Sequence, residues 1–336
     1  MADNGLILVT GAAGQLGAVG RTVTGLLLDR GLPVRALVRR EDDRAAALRA
    51  AGAEVVVGDL LEPADVARVV RGCRRVYFGM SVSAGYLEAT VLMAAVARDV
   101  GVDALVNMSQ MTVSQMSLQH TTPSPQQRQH WLSEQALAWS GLPVVTIRPT
   151  VFLEGFFLPL TGPSVRDRSR IELPFGRGKT NPVATADVAR VVAAVLADPG
   201  PHVGRIYELT GPRSQDMDGV AREYADALHR EVTYADIPPE GSCTSILRVI
   251  PSPANPVKYP HFTPCVRGLC RGITPLFLSD DVPGTPLALR HAALCLAKRV
   301  YRRGSEAIQT SASTAQALQR PEAVSWSHPQ APLCRL

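Results

Sequence analysis

Three glycines at fixed spacing constrain this chain more than any other feature. Leu6 to Val9 is an apolar run of buried-strand length, and Thr10 and Gly11 end it. Gly11, Gly14 and Gly17 then follow as G-x-x-G-x-x-G, and Leu16, Val19, Val23 and Leu27 recur at the spacing of a helix face. A strand, a glycine turn and a helix in that order form a cradle for a pyrophosphate. Gly11 permits the tight turn, Gly14 lets the backbone approach the phosphates, and Gly17 lets the helix close on the strand. The first N–H groups of the helix and its positive end then face the anion. A purely structural turn is the competing reading.

The pattern after the motif is repetitive. Apolar runs at Val34–Val38, Glu54–Val57, Arg75–Phe78, Ala104–Met108 and Pro143–Ile147 read as strands. Helical stretches separate them: Asp42–Ala51, Pro63–Arg71, Tyr86–Val100 and Gln126–Ser140. Such alternation predicts an α/β fold, a Rossmann-type doubly wound parallel sheet over residues 1–150. A smaller, substrate-side portion is expected over 151–240. It has an apolar stretch at Phe152–Leu160, an exposed charged stretch at Arg166–Arg170, helices at Thr185–Leu196 and Gln215–His229, and strands at Arg205–Leu209 and Glu231–Tyr234.

Composition divides the chain in the same place. Residues 1–240 hold 24 Lys and Arg against 26 Asp and Glu; residues 241–336 hold 11 against 4, with five of the six cysteines and 11 prolines. We read 241–336 as an irregular, basic, partly disordered tail, and propose a shifted reading frame as its origin. His261, Cys265 and Cys270 approach metal-ligand spacing but lack a fourth ligand, so no metal is expected. The basic excess lacks interleaved aromatics, which disfavours nucleic acid. No apolar run reaches membrane-span length and no secretory signal opens the chain, so a cytoplasmic protein is expected.

In a sheet of this kind ligands lie beyond the carboxyl ends of the strands. The candidate dinucleotide contacts are therefore Thr10, Gly11, Gly14, Gln15, Leu16, Gly17, Arg39, Asp59, Leu60, Met80, Ser81, Pro149 and Thr150, and the catalytic candidates are Ser109, Gln110 and His130. Arg39 and Arg40 follow the second strand where an NAD-selective chain carries an acid. An arginine fork there suits a 2′-phosphate, so NADP(H) is expected over NAD(H). The other reading has Glu41 or Asp42 reaching the ribose. Asp59 suits either an adenine amine or the next helix terminus. Met80, Ser81, Gln110, Phe152, Phe156 and Phe157 are candidates for a pocket for a flat acceptor, or for ordinary core.

No Tyr lies between Tyr86 and Tyr207, and Lys179 is the sole Lys of the first 240 residues. A Tyr-x-x-x-Lys acid is therefore absent from the helix after Ser109. That helix carries His130 and Glu134 instead, one turn apart, which is also the spacing of a plain surface pair. Together with Gly58-Asp59-Leu60, Ser109-Gln110, Arg148-Pro149-Thr150, Leu173 to Lys179 and Ala186 to Ala189, these residues resemble the NmrA-like atypical short-chain dehydrogenases, and among them the NADPH-dependent quinone and triphenylmethane-dye reductases. The resemblance spans roughly residues 5–240. It implies that Arg39 holds the 2′-phosphate, that His130 lies near the nicotinamide ribose, and that Pro149 and Thr150 face the carboxamide. It implies a reductase passing hydride to a small electron-poor acceptor, or a non-catalytic NADP(H) sensor acting through a protein partner. A homodimer is a further expectation.

Overall fold

The computed structural model describes residues 5–14, 19–122, 124–154 and 158–237. Its centre is β1 (Leu6–Val9), flanked on one side by β2 (Val34–Val38) and β3 (Glu54–Val57). On the other side lie β4 (Cys73–Phe78), β5 (Ala104–Met108), β6 (Val144–Pro149) and β8 (Ile206–Leu209). The seven strands run in the order β3-β2-β1-β4-β5-β6-β8, every pair parallel. Strand order reverses between β1 and β4, the doubly wound arrangement expected from the sequence.

Central strands of a parallel sheet are covered on both faces and so read as unbroken apolar runs. Ile7, Leu8, Val9, Leu105 and Val106 are fully buried. One face packs α1 (Val19–Leu28), α2 (Asp43–Ala50) and α7 (Thr185–Ala197), with Val23, Leu27, Val188, Val192 and Leu196 in one cluster. The other face packs α3 (Pro63–Val70), α4 (Tyr86–Val100) and α5 (Pro125–Trp139), with Val66, Phe78, Tyr86, Met93 and Leu137 in another.

Arginines tie helix ends to the sheet. Arg35 of β2 donates to the carbonyls of Val69 at 2.9 Å and Arg71 at 2.7 Å, at the end of α3. Arg75 of β4 donates to those of Leu196 at 2.9 Å and Ala197 at 3.2 Å, at the end of α7. Both cations sit where unpaired carbonyls and the negative end of a helix favour them.

Residues 151–237 contribute to both layers. α7 and β8 complete the main sheet, whereas α6 (Leu158–Arg168), β7 (Arg170–Leu173), α8 (Met217–Leu228) and β9 (Thr233–Asp236) surround a separate small core. There β7 and β9 form a two-stranded parallel sheet. The charged stretch read at Arg166–Arg170 is in fact the end of α6 and the start of β7. Ser169 makes the turn between them, with a φ of 52°. The final strand lies two residues later than the sequence suggests. The expectations for 241–336, including the shifted frame and the cysteines, fall outside the described residues.

Candidate active site

The carboxyl ends of β1 and β4 are locked together. Thr10 Oγ1 donates to the Gly79 carbonyl at 2.9 Å and accepts from the Gly79 N–H at 2.9 Å. The chain then turns at Gly11, whose φ of +65° lies in the left-handed region and whose added Cβ would stand 2.6 Å from the Gly79 carbonyl oxygen. The Gly14 N–H closes the turn onto Gly11 O at 3.0 Å. Gln15, Leu16 and Gly17 lie outside the described residues. Among the described ones, Gly20 brings the helix onto the loop. A Cβ there would stand 2.7 Å from Gly11 O and 3.0 Å from Thr10 O. Gly20, the second residue of α1, continues the same three-residue spacing one step beyond Gly17, a signal the three-glycine motif stopped short of.

The ends of β2 and β3 form the next wall. Arg39 is 83% exposed, with Nη2 3.7 Å from Asp59 Oδ2. The two nearby acids already have partners. Asp42 caps α2, accepting from the Arg44 and Ala45 N–H groups, and also pairs with the Arg44 side chain. Glu41 pairs with Arg49 at 2.7 Å. Those arginines hold both carboxyls below the usual carboxylate range. Arg44, absent from the sequence candidates, donates to the Ala13 carbonyl at 3.0 Å and so ties α2 to the glycine loop. Asp59 Oδ1 accepts from the Leu61 N–H at 3.0 Å, a local turn; α3 itself has Glu62 at its cap position, with no side-chain bond. Leu60 and Met80 pack on the α3–α4 core, and Ser81 is exposed.

Past β5 the surroundings are buried and polar. Ser124 and Pro125 start α5: the Ser124 hydroxyl accepts from the Gln127 N–H, and Pro125 occupies the first turn. The helix thereby places His130 edge-on to Tyr86, ring centroids 4.8 Å apart. Both are buried, and Tyr86 Oη donates to the Met108 carbonyl at 3.2 Å. Burial pushes the Tyr86 phenol far up and the His130 imidazole down to about 3.

The reading of His130 and Glu134 as a surface pair is overturned. Both are buried, and Glu134 turns to other partners. Arg148 grips its carboxylate from β6, with Nη2 at 2.6 Å and Nε at 3.1 Å, and the Ser109 hydroxyl donates to it. Arg148 Nη1 also reaches Glu208 of β8 at 3.3 Å. Pro149 is buried, and Thr150 Oγ1 donates to the Asn181 carbonyl at 2.7 Å. Phe152 packs against the α1–α7 core; Phe156 and Phe157 lie outside the described residues.

Several buried polar atoms have no hydrogen-bond partner among the described residues. Both amide atoms of Gln110, Nδ1 of His130 and Oδ1 of Asn107 are among them. Unsatisfied buried polar groups are costly and rare, and here they gather where β5 ends and α5 passes. These groups, with the glycine cradle, fit a dinucleotide laid across the strand ends. No group of three or more His, Cys, Asp or Glu among the described residues is arranged to hold a metal. No helix among them is long and apolar enough to cross a membrane.

A family profile described as NAD(P)H-binding matches residues 11–199. A (4-alkanoyl-5-oxo-2,5-dihydrofuran-3-yl)methyl phosphate reductase from Streptomyces griseus is 31% identical over 248 residues, 74% of this chain and 83% of its own length. An NAD(P)H azoreductase from Xenophilus azovorans is 28% identical over 234 residues, 69% of this chain and 77% of its own. Among solved structures, an NADPH-dependent quinone oxidoreductase from Escherichia coli, complexed with NADPH, superposes with a TM-score of 0.66. It is 21% identical, and the match covers 87% of this chain and 99% of that one, which speaks to the fold.

Proposed function

Because the chain belongs to the NAD(P)H-binding family, we propose that it is a reductase that takes hydride from NADPH and delivers it to a small electron-poor acceptor such as a quinone or an azo or triphenylmethane dye. The observation that carries this reading is the cradle at the strand reversal. The Thr10–Gly79 lock, the left-handed Gly11 and the close approach of Gly20 pack backbone against backbone where the turn meets α1. The named activities of the relatives, reduction of a phosphorylated furanone and of azo compounds, support the reductase class.

Bound NADPH supplies a hydride, and the protein's task is to hold and orient it. The turn from Gly11 to Gly14 and the N-terminus of α1 receive the diphosphate. Arg39 and Arg40 meet the 2′-phosphate, since Glu41 and Asp42 are both engaged elsewhere. Gln110, His130, Pro149 and Thr150 flank the nicotinamide half. Burial keeps the His130 imidazole neutral at physiological pH, and the Tyr86 proton rests on a carbonyl. Neither is an acid for the product, which suits acceptors that take electrons readily and a proton from water.

The test is loss of NADPH absorbance with a panel of quinones and dyes. Turnover with quinones or dyes is the expected result. Tight NADPH binding with no turnover across the panel, together with a protein partner that binds only one redox form, would instead favour the sensor.

A further inference from the structure

The Ser109 side chain has a single proton, and the protein has already assigned it. Its acceptor, Glu134, has a side chain only 7% exposed, and Arg148 holds both carboxylate oxygens. A carboxylate gripped in this way offers lone pairs and no donor, so the hydroxyl facing it must donate. The Ser109 N–H is committed too, to the Ile147 carbonyl at 2.8 Å. Ser109 is itself buried, one residue beyond β5 and next to the unpartnered amide of Gln110.

We infer that Arg148 and Glu134 are positioning residues that turn the Ser109 proton inward, so that Ser109 meets a bound ligand only as a hydrogen-bond acceptor. The ligand group it receives is therefore an O–H or N–H donor. That donor is either on the nicotinamide half of the dinucleotide or on the acceptor as it is reduced. Ser109 supplies no proton to the product. The kinetic side of this inference rests on the reductase reading; the affinity side rests on dinucleotide binding alone.

The experiment compares the full-length protein with Ser109→Ala, Ser109→Thr, Glu134→Gln and the Ser109→Ala/Glu134→Gln double variant. NADPH Kd is measured by calorimetry, KM and kcat with a water-soluble benzoquinone, and Tm in parallel. In Glu134→Gln the new side-chain amide can present its NH2 to Ser109, which frees the hydroxyl to point its proton at the ligand. Ser109→Ala and Glu134→Gln are each expected to worsen the same parameter by about threefold to tenfold. The double variant should be no worse than Ser109→Ala, and Ser109→Thr should restore most of the loss. A change confined to NADPH Kd places the donor on the dinucleotide; a fall in kcat with the quinone, at unchanged NADPH Kd, places it on the acceptor as it is reduced.

A fall in Tm for Glu134→Gln with Kd, KM and kcat unchanged, or additive losses in the double variant, overturns the inference. If the wild-type protein binds NADPH but reduces no quinone, the reductase reading fails, while the Kd cycle still decides this one. If Ser109→Ala leaves every parameter intact in an active enzyme, the inference fails and the reductase reading stands.

Discussion

His130 shows how much one buried side chain can tell. Its Nδ1 has no partner among the described residues and its ring leans on Tyr86, so only desolvation acts on it, and that favours the neutral form. In the unfolded chain a histidine takes its proton near pH 6.5; in the fold it resists until about 3. As pH falls below 6.5 the unfolded chain therefore binds the extra proton first. The stability this group contributes is full above that pH and is lost progressively toward 3, by about 2 kcal/mol at pH 5. Urea unfolding at pH 7 and pH 5 checks this: His130→Gln should lose less stability between the two than wild type, and equal losses would contradict it. The residue's spacing from Glu134 was visible in the sequence, but its burial was not. A three- or four-residue offset places two side chains on one helix face without saying whether that face meets water or β5.

At the scale of elements, the approach of α1 to the β1 turn is set by Gly20, and Gly25 five residues later serves as its control. A Cβ at Gly20 meets backbone oxygens of the loop, whereas one at Gly25 meets nothing within 4 Å. Gly25→Ala should stabilise the protein by about 0.5–1 kcal/mol, the ordinary gain of alanine over glycine within a helix. Gly20→Ala should destabilise it and weaken NADPH binding, because the helix must back away from the turn proposed to receive the diphosphate. Thermal unfolding and NADPH titration of the two variants check this, and a Gly20→Ala protein as stable and as tightly binding as Gly25→Ala would contradict it. The strands with a dense apolar run were the legible ones: β1, β2, β3 and β5 have the expected bounds, while β4 starts two residues earlier and β6 ends two residues later than their patterns suggest. β7 was hidden because it opens on Arg170 and alternates charged with apolar residues, and α6 because Gly162 and Pro163 interrupt its pattern. The Ser109–Glu134–Arg148 linkage was hidden for a different reason. It joins three elements distant in sequence, and no spacing rule connects a strand end, a helix and the next strand.

For the whole molecule, the parallel sheet brings all seven carboxyl ends of its strands to one edge, and the proposed cofactor choice rests on the residues where β2 and β3 end. The acids that could have taken a ribose hydroxyl are held by Arg44 and Arg49, and Arg39 projects into solvent with Asp59 as its only ion-pair partner among the described residues. An exposed guanidinium so placed is available to a 2′-phosphate. The most direct measurement is a calorimetric titration of wild type and Arg39→Ala with NADPH and with NADH. The account predicts that wild type binds NADPH more tightly, and that Arg39→Ala loses about tenfold in NADPH affinity with little change for NADH. Equal wild-type affinities would contradict the cofactor choice, and no binding of either nucleotide would contradict the whole account.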